Sequence, residues 1–423
     1  MFRWLFIALL ASCAGLGGPL CRADRPSPPQ PRIQLRSAHV LLHTDLPEDE
    51  ARALLARLET ILKLISKYWQ QPLAGGPLEC YVVRDLNAWP GDDLSPAGRA
   101  KIATRSGITT TQTVHGAGKF LAGKSIVYAS AEPGTAEHEI VHAYCGQTFG
   151  RTGPLWYSEG MAELGQYWQE GSGAVQVRPH MIEYLRTEAP TSVRQIIADD
   201  AADGEVRGSA RTGDSWQAYA ARWALCHLLV HNGNYAPRFR AIGLSYLSGA
   251  KPHPHDLLGA NAEQLEFEYR QFVRHVDQGY RADLCRWDWN AKFRVPNQVP
   301  ISAKVLAARG WQPSGAEVRA GQVYRYEASG RWRLGDGTAE LDASGQADGA
   351  GRLEGVVLHN FELSEPFPMG TAGSFSPPAD GRLYLRCREA WNELADNSGT
   401  ITVKIRAADE SQRPRPADSK AAN

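Results

Sequence analysis

Apolar residues recur along this chain with two different periods, and the switch between them divides it. Residues 33–43 alternate apolar and polar positions, as in a half-buried strand. Over 47–69 the period lengthens. Ala51, Leu54, Leu55, Leu58, Ile61, Leu62 and Ile65 fall at helical spacing and predict an amphipathic helix. A second strand is expected at 78–83. The polar, glycine-containing stretch 85–112 is expected to be loops with one short helix, and 125–129 (SIVYA) a short strand. From 134 to about 285 the spacing is helical. Segments at 134–148, 155–169, 178–187, 190–198, 213–232, 235–248 and 261–279 are separated by polar turns. Near 286 the two-residue period returns. Ile401, Val403 and Ile405 alternate with Thr402 and Lys404, and Leu383 and Leu385 flank Tyr384. The order predicts an α+β fold: a mixed sheet with helices and then a helical subdomain over 33–290, followed by an all-β sandwich over 300–407.

The two ends read differently. Arg3 precedes a short apolar run, Trp4 to Ala11, and Cys21-Arg22-Ala23 then offers small residues for signal-peptidase cleavage before Asp24. Residues 1–23 therefore read as a signal peptide, which predicts a secreted or periplasmic protein. Leu10-Ala11-Ser12-Cys13 resembles a bacterial lipobox, so an outer-membrane lipoprotein anchored through Cys13 is the alternative. Residues 24–32 are a Pro-rich linker, and 408–423 a polar tail expected to be disordered. Beyond the export segment no apolar stretch is long enough to cross a bilayer.

The 423 residues carry no formal net charge and no Lys/Arg-rich run, which argues against a nucleic-acid partner. Of seven cysteines, Cys80, Cys145, Cys226, Cys285 and Cys387 lie past the export segment. An odd number leaves at least one thiol unpaired in a monomer. A Cys145–Cys226 bond and buried free thiols are both open readings.

One segment carries chemistry. His138-Glu139-Ile140-Val141-His142 places two imidazoles four residues apart, on one face of a helix, with a carboxylate beside them. Hydrolytic zinc takes three protein ligands and keeps one open position. The third candidate ligand is Glu159 in Trp156-Tyr157-Ser158-Glu159-Gly160-Met161-Ala162-Glu163, one turn-forming loop later. Glu163 lies four residues further along the same face, placed to accept a hydrogen bond from a ligand histidine. Glu139 is then the general base. Tyr219 is the candidate oxyanion donor, with a core aromatic as its plain alternative. His227 and His231 repeat the spacing without a following glutamate and read as core or surface histidines. His253 and His255 read as solvated, while His115 and His180 have no placement from sequence.

The run HEIVHAYC…GPLWYSEGMAEL resembles the gluzincin metallopeptidases, and more closely the peptidase-MA-like families of secreted bacterial proteins. The similarity follows element order over about 33–285 and is specific over 136–163. It implies a mononuclear zinc site and hydrolysis of a peptide or protein substrate. It also implies that the 125–129 strand is a sheet edge to which extended substrate adds.

In the β region, Gly310-Trp311, Arg319-Ala320-Gly321, Gly381-Arg382-Leu383-Tyr384-Leu385 and Asp396-Asn397-Ser398-Gly399 resemble the calcium-dependent galactose-binding lectins of the PA-I type over about 302–406. The resemblance implies calcium held by Asp396 and Asn397, with Glu389 standing where that family carries aspartate, and with Val318 and Glu393 at carbonyl-ligand positions. A purely structural sandwich is the other reading. Two functions follow: an exported zinc metallopeptidase, or a carbohydrate-binding surface protein with an inactive peptidase-like domain.

Overall fold

The computed structural model describes residues 32–187, 190–198, 215–250 and 261–408. The export segment, its lipobox cysteine, most of the Pro-rich linker, His253 and His255, and all but the first residue of the tail lie outside these residues.

The chain begins with an antiparallel pair, β1 (Ile33–Arg36) and β2 (Val40–Thr44). Helix α1 (Glu48–Trp69) then crosses over to β3 (Leu78–Val83), which runs parallel to β2. Glu48, Asp49 and Glu50 occupy the first turn of α1, where carboxylates offset the partial positive charge of the free N–H groups. Its buried face, Leu58, Ile61, Leu62, Ile65 and Trp69, covers the sheet. The short helix α2 (Pro96–Ala103) is capped by the Ser95 hydroxyl.

Next come two long strands, β4 (Gly107–Gly116) and β5 (Lys119–Ser130), which form an antiparallel hairpin. The sheet order is β1-β2-β3-β5-β4. Two expectations change here. The loop region reaches only to Ser106, because the threonines of Gly107-Ile108-Thr109-Thr110-Thr111 are β-branched and suit a pleated edge despite their polarity. The 125–129 segment is part of a twelve-residue strand paired on both sides, to β3 and to β4. It is not the sheet edge; β4 is.

Helix α3 (Thr135–Phe149) packs across β5 and β4. Helix α4 (Leu155–Tyr167) returns beside it after Gly153-Pro154. The helical region continues with α5 (Pro179–Thr187), α6 (Val193–Ala198), α7 (Trp216–His231), α8 (Ala236–Leu247) and α9 (Ala262–Arg274). Among the described residues no helix is long and apolar enough to cross a membrane.

Nine strands then form two facing sheets. The first is ordered β10 (Glu362–Leu363), β9 (Leu353–His359), β13 (Gly381–Cys387), β7 (Gln312–Val318), with β11 (Phe367–Pro368) on β9. The second is β12 (Ala372–Phe375), β8 (Tyr324–Arg333), β14 (Ser398–Ala407), β6 (Ile301–Leu306). Val305, Val318, Trp332, Leu383, Leu385, Ile401 and Val403 fill the space between them. The fold is α+β with a β-rich C-terminal region, as the change of period predicts.

All five described cysteines are buried free thiols, so the Cys145–Cys226 bond is not formed. Cys226 instead packs where α7 meets α4. A Cβ at Gly160 would lie 2.5 Å from its Sγ and 2.8 Å from the Arg222 carbonyl. Only glycine allows these two helices to approach so closely.

Candidate metal centre

Helices α3 and α4 bring His138, His142 and Glu159 together. Nε2 of His138 lies 3.1 Å from Nε2 of His142 and 3.2 Å from Oε2 of Glu159, and the His142–Glu159 distance is 3.5 Å. Zinc bonds of about 2.0–2.1 Å at tetrahedral angles separate ligand atoms by roughly 3.3 Å. The triangle therefore has the edge lengths of three corners of a zinc tetrahedron, and the donor set of two imidazoles and one carboxylate fits that ion. Among the described residues this is the one group of His, Cys, Asp or Glu with three ligand atoms within 4.8 Å of one another.

Each histidine is oriented through its other nitrogen. His138 Nδ1 is 3.0 Å from Glu163 Oε1, and His142 Nδ1 is 3.2 Å from the Ser158 hydroxyl. A proton on each Nδ1, donated to these oxygens, leaves each Nε2 lone pair facing the centre. Burial disfavours charge on both Glu159 and His138. On Glu159 it is outweighed by the charges and hydrogen bonds of His142 and His138, which hold the carboxyl well below its usual range. On His138 burial is outweighed by Glu159 and Glu163, which raise the imidazole well above its usual value. A divalent cation competes with that proton for the same nitrogen.

Glu139 is buried between α3 and the edge strand β4. Thr109 Oγ1 lies 2.9 Å from Glu139 Oε2 and 2.9 Å from the Glu139 main-chain oxygen. Two residues earlier on the same face of β4, a Cβ on Gly107 would come within 2.6 Å of Glu139 Cγ. The strand thus gives the carboxylate room at one position and a hydrogen bond at the next. Tyr219 on α7 lines the same cleft, with its ring 6.0 Å from the His138 ring and nearly perpendicular to it. His180 also lines the cleft, stacked edge-on against Trp216, whereas His115 sits on the outer part of β4 against Phe120. His227 and His231 pack on each other, His227 also against Trp223 and Phe272 and His231 against Trp168.

No family model matches the chain, and no curated protein matches it. Solved structures do. One, described as "EclA N-terminal domain; PllA-like lectin", is 25% identical and covers 26% of this chain and 98% of its own, with a TM-score of 0.23. A superposition of that extent does not bear on activity.

In the β sandwich the candidate calcium residue Glu389 lies within electrostatic reach of Glu393 and Asp396. Asp396 is exposed. Asn397 is buried, with no hydrogen-bond partner for Nδ2. Glu389 accepts from the Ala390 N–H at 2.9 Å. Burial raises the Glu389 carboxyl, and the Glu393 and Asp396 charges add to this against the Ala390 hydrogen bond.

Sequence reasoning missed Thr109, Gly107 and Ser158. Ser158 immediately precedes Glu159, one turn-forming loop after His142. Thr109 and Gly107 reach Glu139 from a strand thirty residues upstream, with no spacing rule to signal it.

Proposed function

We propose that this chain is a zinc-dependent metallopeptidase of the gluzincin type. The observation that carries the proposal is the His138–His142–Glu159 triangle, with edges of 3.1, 3.2 and 3.5 Å, beside a buried glutamate that is not one of its corners. Zinc bound there supplies Lewis acidity to the scissile carbonyl and makes water an effective nucleophile at neutral pH. Glu139 takes a proton from the attacking water and returns it to the leaving amine. Thr109 holds one oxygen of that carboxylate, so the other is the one turned to the water. Glu163 and Ser158 fix the two imidazoles. Tyr219, whose ring lines the cleft 6.0 Å from the His138 ring, would donate to the developing oxyanion. Extended peptide would add to the free edge of β4, whose residues 107–111 line the cleft, in place of the 125–129 segment.

The test is native mass spectrometry of the full-length protein with its His138→Ala and Glu159→Ala variants. One zinc per chain is expected, lost in both variants. Full zinc occupancy in Glu159→Ala removes that residue as third ligand. A wild-type protein that takes up no zinc instead favours the alternative of a carbohydrate-binding protein with an inactive peptidase-like domain.

A further inference from the structure

The cleft over the triad has a volume of about 1540 Å³, and charge is unevenly placed among its described lining residues. Among its described lining residues the only carboxylates are Glu139, Glu159 and Glu163, all occupied at the candidate metal centre. Four cations stand around them: Lys101, Arg105, Arg151 and Arg178. Neither Lys101 nor Arg151 makes a side-chain hydrogen bond or ion pair with any described residue. Arg105, held with its backbone in the left-handed region at φ 56, pairs only at 3.8 Å with exposed Glu132. Arg178 donates to the Pro133 carbonyl and lies within electrostatic reach of the Glu137 carboxyl, which is outside the cleft lining.

These cations lie at opposite ends of α3. Lys101, Arg105 and Arg178 belong to segments beside its start, and Arg151 directly follows its end. Fifteen helical residues span about 22 Å, with His142 at the midpoint and His138 one turn nearer the start. An extended peptide advancing about 3.3 Å per residue covers that span in roughly seven residues. We infer that the cleft selects acidic peptides, with Asp or Glu side chains on both sides of the cleaved bond. One acidic side chain meets the Lys101–Arg105–Arg178 group, and one further away meets Arg151. A cleft with surplus charge of one sign concentrates ligands of the other and repels like-charged ones. This inference rests on the peptidase reading but can fail without it.

The experiment uses full-length, zinc-loaded Glu139→Gln protein, which retains peptide without cutting it. Three decapeptides carrying a neutral dye, with Glu, Gln or Lys at the flanking positions, are titrated by fluorescence anisotropy. The Glu peptide is expected to bind about tenfold more tightly than the Gln peptide, the size of effect expected from two partly exposed charge pairs. The Lys peptide binds weakest, and the differences shrink as salt is raised. Arg151→Glu combined with Lys101→Glu abolishes the preference, and the milder Arg151→Gln reduces it. Equal binding of the three peptides, preference for the Lys peptide, or a preference that survives the double charge reversal overturns the inference and leaves the peptidase reading standing. Binding of none of them by zinc-loaded protein overturns both.

Discussion

At the scale of single residues, the chemistry turns on how one carboxylate is held. Glu139 is fixed by its own helix and by a hydroxyl from a neighbouring strand, Thr109 at 2.9 Å. Thr109→Val keeps the shape and removes that hydrogen bond. A charge-assisted hydrogen bond contributes about 1.5–3 kcal/mol, so turnover is expected to fall by about ten- to a hundredfold. KM and zinc content should stay near wild type, and Thr109→Ser should restore most of the loss. Steady-state kinetics on the three proteins decide it, and an unchanged kcat in Thr109→Val removes Thr109 from the positioning of Glu139. The helical residues of this cluster were legible beforehand because the i, i+4 spacing is a property of one helix: His138 with His142, and Glu159 with Glu163. Thr109 and Gly107 were not, because contact between a strand and a later helix depends on where the sheet edge falls.

At the scale of elements, the register of β4 decides where substrate can lie. The threonine-rich edge strand reads as loop because its faces lack apolar alternation. β5 reads as short because only its last half is buried, and the edge that the gluzincin resemblance assigns to it belongs to β4. The helices were legible because long amphipathic or apolar segments with caps leave strong signals. Helix α7 shows what such a buried segment costs in acid. Burial drives the His227 imidazole well below its usual value. Burial, aided by the Arg281 charge and opposed by Asp283, takes His231 down to about 4. Both are neutral in the folded protein while the unfolded chain takes up protons below about 6.5. The unfolded state then binds more protons, so stability falls as pH drops from about 6.5 toward 4. Melting temperature measured across that window should decline, and His231→Gln should flatten the decline. An identical slope in the variant would remove His231 as a source.

At the scale of the whole molecule, the sandwich is fastened to the helical region by a buried aromatic junction. Trp287 packs 4.5 Å from Tyr384 of β13, Trp289 lies 5.8 Å from Phe361 after β9, and Tyr280 lies 5.0 Å from Trp391. Beneath it the fully buried Glu268 carboxylate accepts hydrogen bonds from Asn232, Asn234, Tyr235 and Trp289. Burial raises the Glu268 carboxyl, while these donors oppose the rise. Glu268→Ala strands these four side-chain donors and the Trp287 N–H, and the expected loss of stability is about 3–5 kcal/mol. Calorimetry should show one cooperative transition in the wild type and a much lower transition in the variant. Two independent transitions in the wild type would contradict a shared core. The sequence signalled a boundary near 286 from its change of period. It did not show that the two sides share a core, because the aromatic residues that join them are scattered from Phe267 to Trp391.

The central claim is that zinc-assisted peptide hydrolysis runs through Glu139. The most direct test is turnover per bound zinc for wild type and Glu139→Gln on a peptide found by library screening, with zinc counted by mass spectrometry in the same samples. Glutamine keeps the size of the side chain, so both proteins should carry one zinc per chain. Loss of general acid–base catalysis alone should lower turnover by about 10²–10⁴-fold. Undiminished turnover in a zinc-loaded Glu139→Gln protein would contradict the account.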